Sequence, residues 1–279
     1  MDNVKDLLVD AERRLQTIET ARLDAEILLA SSMHTDRASL YSYPEREVSE
    51  DIVKNFQQLL EKRMDDYPIA YLTGGKEFWS LQLKVDQHTL IPRPETECLV
   101  ETALELIPVD RHCDILDLGT GSGAIALAIA KERPKANLCA LDVSCEAIAI
   151  AKENAKVHQL ENTEFIQSDW FSSLGKRQFD YIVSNPPYVE HDDHGFIEGE
   201  IRHEPRKALD GGQQGIQSIS QIISQAPSFL RSGAWILIEH GYKQAEIIRQ
   251  LFISKNYDDI NCRQDYAGLD RLSFARWPQ

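Results

Sequence analysis

Asn185-Pro186-Pro187-Tyr188 combines in four residues the parts needed to grip a planar NH2 group. Asn185 offers a side-chain carbonyl acceptor, and Tyr188 a flat aromatic face. The two prolines fix two φ angles, remove two N–H donors and push the residue before each into extended backbone. The turn is therefore stiff, with carbonyl oxygens left free to act as a second in-plane acceptor. An amine conjugated to a carbonyl or a base ring is a poor nucleophile because its lone pair is delocalised. Acceptors on its hydrogens hold it and return electron density to nitrogen. That is the requirement for alkylating an amide or an exocyclic base amine. Taken alone, the tetrapeptide reads equally as a rigid Pro-Pro loop capping a strand.

The second chemical element is Asp117-Leu118-Gly119-Thr120-Gly121-Ser122-Gly123. Glycines let a backbone turn tightly and approach a ligand. The next apolar segment ends at Asp142, about 20 residues on, where an acid can hold ribose hydroxyls; the same acid could instead cap the following helix, a role for which Ser144 competes. A dinucleotide would call for Gly-x-Gly-x-x-Gly with its pyrophosphate at a helix N-terminus, and this loop is Gly-x-Gly-x-Gly. Asp117 ahead of it suits a cationic amino-acid end better than a phosphate, and no Gly-Lys-Ser/Thr is present. S-adenosylmethionine, with an ammonium, a sulfonium, a ribose and an adenine, fits these features. Asp169-Trp170 supplies an adenine-facing pair, although Trp170 is equally suited to plain core packing.

Positioning these groups is the task of the surrounding elements. Residues 1–70 carry apolar residues at helical spacing (Leu7, Leu8, Ala11, Leu15, Ile18; then Leu23, Ile27, Leu28; then Val53, Phe56, Leu59, Leu60) and no strand pattern. They read as a small helical domain for partner recognition or packing. Residues 71–95 read as a β-hairpin or extended linker ending in Ile91-Pro92-Arg93-Pro94-Glu95. Residues 96–279 alternate strand and helix: strands at 115–118, 138–141, 163–166, 179–184 and 235–238, helices at 96–107, 124–131, 144–158, 218–230 and 244–254, and a closing strand pair at 260–263 and 271–275. Such alternation predicts an α/β, doubly wound, mostly parallel sheet. It places both Asn185 and the glycine loop at carboxyl ends of strands, where open sheets bind ligands.

Composition narrows the function classes. The chain has 279 residues, 42% hydrophobic, and a net charge of −15. No apolar run reaches the ~18 residues of a membrane span, and the opening residues lack a signal-peptide pattern. Five scattered cysteines without Cys-x-x-Cys argue against a disulfide framework or a cysteine zinc site, so a reducing cytoplasm is expected. The acidic balance opposes nucleic-acid binding, and no run of adjacent basic residues exceeds a pair. His191, His194 and His203, with Asp192 and Asp193, look like a solvated loop, and no metal is expected. His240 reads as structural. Asp210-Gly211-Gly212-Gln213 reads as a glycine turn before a helix.

Together, residues 119–123, Asp142, Asp169-Trp170 and Asn185-Pro186-Pro187-Tyr188 resemble the class I (Rossmann-like) methyltransferases that alkylate planar nitrogens. With Ile91-Pro92-Arg93-Pro94-Glu95-Thr96-Glu97, Arg202-His203-Glu204-Pro205 and the helical N-terminal domain, the whole chain resembles the HemK/PrmC protein-(glutamine-N5) methyltransferases. That resemblance implies a substrate: the glutamine of the Gly-Gly-Gln motif in class I peptide chain release factors. It implies that Gly119, Thr120, Gly121, Ser122 and Gly123 wrap the methionine end of S-adenosylmethionine, that Asp142 binds ribose and that Trp170 borders adenine. Asn185 would take the target amide on its side-chain oxygen and neighbour the cofactor. Pro186 would add a backbone carbonyl, with Pro187 beside it, and Tyr188 would pack on the amide plane. Arg93 and the acids after it would line the junction between the domains or pin the linker. Two other readings share parts of this pattern: methylation of an exocyclic amine in DNA or RNA, and a non-catalytic cofactor-binding adaptor.

Overall fold

The computed structural model describes residues 2–278, save the side chains at 195 and 197. Met1 and Gln279, the outermost residues of the expected helical and catalytic segments, lie outside the described residues. The chain forms two compact units. One comprises the residues up to Gly75 together with Ile197–His203, the other Lys76–Phe196 and Glu204 onward.

The first unit holds five α-helices among the described residues: α1 (Val4–Arg14), α2 (Ala21–Ser32), α3 (Arg37–Ser42), α4 (Glu50–Met64) and α5 (Ile69–Thr73). Asn3 starts α1 by accepting from Asp6 N at 2.8 Å, and Asp36 starts α3 by accepting from Ser39 N at 2.8 Å, each satisfying an orphan N–H of a first turn. The apolar stripes meet in one core that includes Leu8, Leu15, Leu28, Leu29, Phe56 and Leu60. The reading of residues 1–70 contains no hint of the distant segment 197–203. That segment is held by charge rather than by a periodic apolar pattern. Arg63, 4% exposed, bonds Asp24 at 2.7 Å and Glu200 at 2.8 Å. Arg202 pairs with Asp65 at 2.7 Å, and the His203 ring lies 4.9 Å from that of Tyr67.

The second unit opens inside a hairpin of β1 (Gly75–Phe78), whose first residue is the last of the first unit, and β2 (Leu81–Lys84), turned by Trp79 and Ser80. There follow α6 (Glu97–Leu106), β3 (Asp114–Leu118), α7 (Ala124–Glu132), β4 (Asn137–Asp142), α8 (Cys145–Val157), β5 (Thr163–Gln167), β6 (Phe179–Ser184), α9 (Arg206–Leu209), α10 (Gln217–Gln225), β7 (Leu230–Glu239), α11 (Ala245–Ser254), β8 (Asp258–Gln264) and β9 (Asp270–Arg276). Helix α10 stops five residues short of the expected 230. Pro227 enters a 3-10 turn at Ala226–Ser228, and Leu230 already belongs to β7.

The large sheet runs β5-β4-β3-β6-β7-β9-β8, parallel through β7 and antiparallel at β9 and β8. Neighbouring residues of one strand face opposite sides. Accordingly Ile115 joins Leu99, Leu127 and Ile129 in one buried cluster, while Leu116 joins Ile222, Ile248 and Phe252 in another. The winding reverses between β3 and β6, so their carboxyl ends flank the crevice where such sheets take ligands. No described helix is long and apolar enough to cross a membrane.

Candidate active site

Behind β3 the glycine loop hangs from the end of β4. Gly119 N and Thr120 N both donate to Leu141 O, at 2.9 and 2.8 Å, and Gly121 N donates to Asp142 Oδ2 at 2.9 Å. Gly121 has φ of +56°, and a Cβ there would meet nothing within 4 Å, because the residue faces open space. That space is a cavity of about 700 Å³, within the range of small-molecule sites, walled by Gly119, Gly121, Asp142, Trp170, Asn185 and Pro187 among others.

Asp142 is held as a strut. Its Oδ1 accepts from Ser144 N at 2.9 Å while Oδ2 holds Gly121, and Ser144 caps α8 by accepting from Ala147 N at 3.1 Å. Burial pushes the Asp142 carboxyl up, against the pull of those backbone amides. Trp170 has two neighbourhoods. It packs on the core cluster of α10 and α11, and it lines the cavity, with Cζ3 3.8 Å from where a Gly119 Cβ would stand.

Three expected members of the loop do not line the cavity. Thr120 and Ser122 are buried, and Gly123 caps the start of α7. The Thr120 hydroxyl is engaged at 2.6 Å by Asp117 Oδ2, and the Ser122 carbonyl takes Asn154 Nδ2 at 2.9 Å. Asp117 itself is fully buried beneath the loop rather than open to a ligand. Its Oδ1 lacks a partner, and burial raises its carboxyl to about 7.

On the other side of the crevice, Ser184 Oγ donates to Leu118 O at 2.8 Å and joins the ends of β6 and β3. Asn185 therefore reaches the same cavity as the glycine loop. Its Nδ2 donates to Thr96 Oγ1 at 3.1 Å, which turns Oδ1 away from Thr96. The Pro186 ring is buried, and Tyr188 packs on the α10–α11 cluster. The Tyr188 hydroxyl donates to Glu239 Oε1 at 3.4 Å, and burial pushes its ionisation far up. Neither Pro186 nor Tyr188 is among the residues that wall the cavity, although both neighbour Pro187, which is.

Gln244 locks this corner. Its Nε2 lies 3.0 Å from Tyr188 O, 3.2 Å from Gln214 O and 3.3 Å from Gly215 O, while its Oε1 accepts from Gly241 N. The Asp210-Gly211-Gly212-Gln213 segment is a strap behind Tyr188. Gly211 N donates to Val189 O at 2.8 Å, and Gln213 is exposed and away from the cavity.

Arg93 and Glu97 tie down the segment that leads into α6. Arg93 pairs with the buried Glu204, which also accepts from Ile91 N at 3.1 Å, and Glu97 accepts from Trp79 N at 3.1 Å. His191 bonds Asp210 at 2.7 Å, and buried His240 bonds Ser273 at 2.8 Å. Among the described residues, no group of three or more His, Cys, Asp or Glu is placed to hold a metal.

Sequence reasoning missed two stretches of cavity wall, around His88–Leu90 and Pro205–Lys207, and the supports Thr96, Glu239, Gln244 and Asn154. Thr96 was visible only as part of the Pro-Glu-Thr-Glu string, and nothing local marks the others. Acids (Asp142, Glu146, Asp169) and bases (Arg206, Lys207) share the wall, as a zwitterionic ligand with a nucleoside requires. S-adenosylmethionine fits this donor set and the open space over Gly121.

This fold, with a glycine loop after its central strand, an acid after the next and Asn-Pro-Pro-Tyr across the crevice, defines a class I methyltransferase. The chain matches the family described as Methyltransferase small domain over residues 96–216, and the PrmC N-terminal domain over residues 6–74. It is 44% identical to the release factor glutamine methyltransferase of Coxiella burnetii, covering 99% of both chains. It is likewise 44% identical to that of Escherichia coli, covering 98% of both. A methyltransferase structure from Pyrococcus furiosus shares the fold, with a TM-score of 0.55 at 17% identity over 81% of this chain and all of that one. The chain belongs to the release factor glutamine methyltransferase family.

Proposed function

We propose that the protein transfers a methyl group from S-adenosylmethionine to the side-chain amide nitrogen (N5) of the glutamine in the Gly-Gly-Gln motif of class I peptide chain release factors. The observation that carries this reading is the meeting of Asn185 with Gly119, Gly121 and Asp142 on one cavity. S-adenosylmethionine supplies an electrophilic methyl on a sulfonium leaving group. Gly121 gives it open backbone, Asp142 its ribose partner, and Trp170 an aromatic border. Asn185 Oδ1, with Nδ2 spent on Thr96, accepts from the target NH2. The Pro186 carbonyl is the second acceptor, and Tyr188 stiffens the corner at the amide plane.

The amide nitrogen forms the new N–C bond as the C–S bond breaks, and its surplus proton leaves to water. The chain's contribution is alignment plus acceptors placed where positive charge develops on nitrogen. The helical unit is the element that recognises the release factor, and the cytoplasm is where the two meet.

The test is methyl transfer read by peptide mass spectrometry with S-adenosylmethionine and an unmethylated release factor. A factor with its Gly-Gly-Gln glutamine changed to Ala serves as control. One methyl on that glutamine, absent from the control, is expected. Asn185→Ala should lower turnover about 100- to 1,000-fold while S-adenosylmethionine still binds. Full activity in that variant, or methyl appearing on DNA or RNA instead, would overturn the reading.

A further inference from the structure

Asn154 on α8 is 1% exposed, and its side chain is spent on main chain. Oδ1 accepts from Lys84 N at 2.7 Å, and Nδ2 donates to Lys84 O at 3.0 Å and to Ser122 O at 2.9 Å. Lys84 N can only donate and the two carbonyls can only accept, so the amide has one orientation here. One side chain thus joins the end of β2 to the glycine loop. Ser122 follows Gly121 directly, and Lys84 leads through Val85 and Asp86 into Gln87. Gly121 and residues 87–90 are both cavity wall.

We propose that Asn154 is a positioning residue for the cofactor: it fastens the segment after β2 to the glycine loop, and so fixes two stretches of the cavity wall relative to each other. The inference rests on the reading of that cavity as the S-adenosylmethionine site. The segment has little slack to absorb a loosened anchor. Val85 is 1% exposed, Thr89 N donates to Asp86 O at 3.0 Å and His88 N to Asp86 Oδ1 at 2.8 Å, a closed turn that moves as one piece. Its far end is held separately, where Ile91 N donates to Glu204 at 3.1 Å. Loss of Asn154 therefore frees the near end alone, and the wall loosens rather than disappears.

The position calls for an acceptor and two donors on a short stem, which is what asparagine supplies. Aspartate keeps the acceptor for Lys84 N, loses both donors and buries a charge. Helix α8 comes close enough for the contact because Gly123 has no side chain. A Cβ there would stand 3.3 Å from Ala151 Cβ, and Ala151 lies one turn before Asn154 on the same helix face. The outer ties between α8 and β2 are Lys84 with Glu153 at 2.7 Å and His158 with Gln82 O at 2.8 Å. Both are exposed, and of these ties Asn154 is the one that reaches the loop.

The full-length protein is titrated calorimetrically with S-adenosylmethionine. Asn154→Ala should weaken binding about 10- to 100-fold, the cost of unpaired buried groups read as affinity. In steady-state methylation of a release factor, the KM for S-adenosylmethionine should rise by the same factor while kcat at saturation stays within about threefold of the parent's. Asn162→Ala is the control for a purely structural role. Asn162 Nδ2 lies 3.1 Å from Ala136 O and 3.3 Å from Ala130 O and Arg133 O, ties of the same kind that hold no cavity wall. It should lose stability and bind S-adenosylmethionine with parental affinity. Parental affinity in Asn154→Ala, or an equal loss in Asn162→Ala, would overturn the inference. If Asn154→Ala does not fold, amide hydrogen exchange of the parent decides. At S-adenosylmethionine about 100 times its Kd, Lys84 N–H should exchange at least about tenfold more slowly than without it. Asn137 N–H, bonded to Cys113 O at the opposite end of β4 from the loop, should keep its rate. A Lys84 rate that changes no more than that of Asn137 sinks the role of Asn154. A parent that binds S-adenosylmethionine and methylates no glutamine would instead sink the functional reading and leave the binding and exchange results to decide this one.

Discussion

The glycine loop and the Asn-Pro-Pro-Tyr corner face one cavity and are built in opposite ways. The loop is held by main chain. Gly119 and Thr120 hang from Leu141, and the side-chain ties come from nearby in the chain: Asp117 on Thr120, Asp142 on Gly121 21 residues away and Asn154 on Ser122 32 residues away. The corner is held by side chains from far along the chain: Thr96 is 89 residues from Asn185, Glu239 is 51 and Gln244 is 56 from Tyr188. Each side also rests on a buried acid raised to about 7, Asp117 under the loop and Glu239 under the corner. The proposed cofactor grip is therefore close to a local structure, and the proposed amide grip exists only once the second unit is assembled. Damage to the corner's supports should remove transfer and spare cofactor binding.

The strongest attempt to break this contrast is Gly215→Ala. Gly215 has φ of +65°, and a Cβ there would stand 2.1 Å from Tyr188 O and 2.7 Å from Gln244 Nε2. Something must shift, so a loss of about 3 kcal/mol or more in stability is expected, with methyl transfer falling below detection. Titration calorimetry should still find S-adenosylmethionine binding within about threefold of the parent's affinity, a change of under about 1 kcal/mol. If both functions fall together, the two sides are one cooperative structure.

Asp117→Asn probes the loop's own support. The Asp117 carboxyl sits near 7 in the folded protein against an ordinary 3.8, so the folded state keeps a proton that the unfolded chain gives up. That stabilisation is complete below about pH 3.8 and is lost as pH rises through about 7. Asparagine has nothing to lose. Denaturant unfolding should therefore show the variant gaining on the parent by up to about 4 kcal/mol between pH 4 and pH 8. A constant difference across that range would mean that Asp117 does not titrate there.

Gln244→Ala sharpens the contrast from the corner side. It removes the donor shared by the Tyr188, Gln214 and Gly215 carbonyls. Leaving buried carbonyls unpaired costs about 1–3 kcal/mol. We expect kcat about 10- to 100-fold lower and an unchanged KM for S-adenosylmethionine, measured by steady-state kinetics. A raised KM with normal kcat would move Gln244 to the cofactor side.

The same contrast explains what the sequence could disclose. Gly119, Gly121 and Asp142 announce themselves because a strand–loop–helix with an acid one unit later is a pattern of short range. Asn185-Pro186-Pro187-Tyr188 is legible as a rigid corner for the same reason, and so is the alternating sheet that presents it. The supports are not legible. Glu239 looks like the polar end of any apolar strand, and Gln244 like an ordinary residue ahead of a helix. Their importance lies in pairings across fifty residues or more, set by the β3–β6–β7 order. Segment 197–203 was missed likewise, because Glu200 and Arg202 meet Arg63 and Asp65 through charge that has no period to detect. Thr120, Ser122 and Asp117 show the converse error. The motif marks the loop and is silent about which of its side chains turn inward.

The smallest expected effect is the cleanest discriminator. Gly121 has φ of +56° and no atom within 4 Å of an added Cβ, so Gly121→Ala meets backbone strain and no clash. Strain at one left-handed residue is worth about 1–2 kcal/mol, and unfolding should register a loss near the low end. The new methyl stands in the space the cofactor needs, since Gly121 lines the cavity. The KM for S-adenosylmethionine should rise while kcat at saturation stays near the parent's. That is the mirror image of Gln244→Ala, and the two variants together separate the halves of the site by kinetics alone. A fall in kcat at unchanged KM would instead show that the loop tunes the amide's approach, and that the division between a local cofactor grip and an assembled amide grip is drawn in the wrong place.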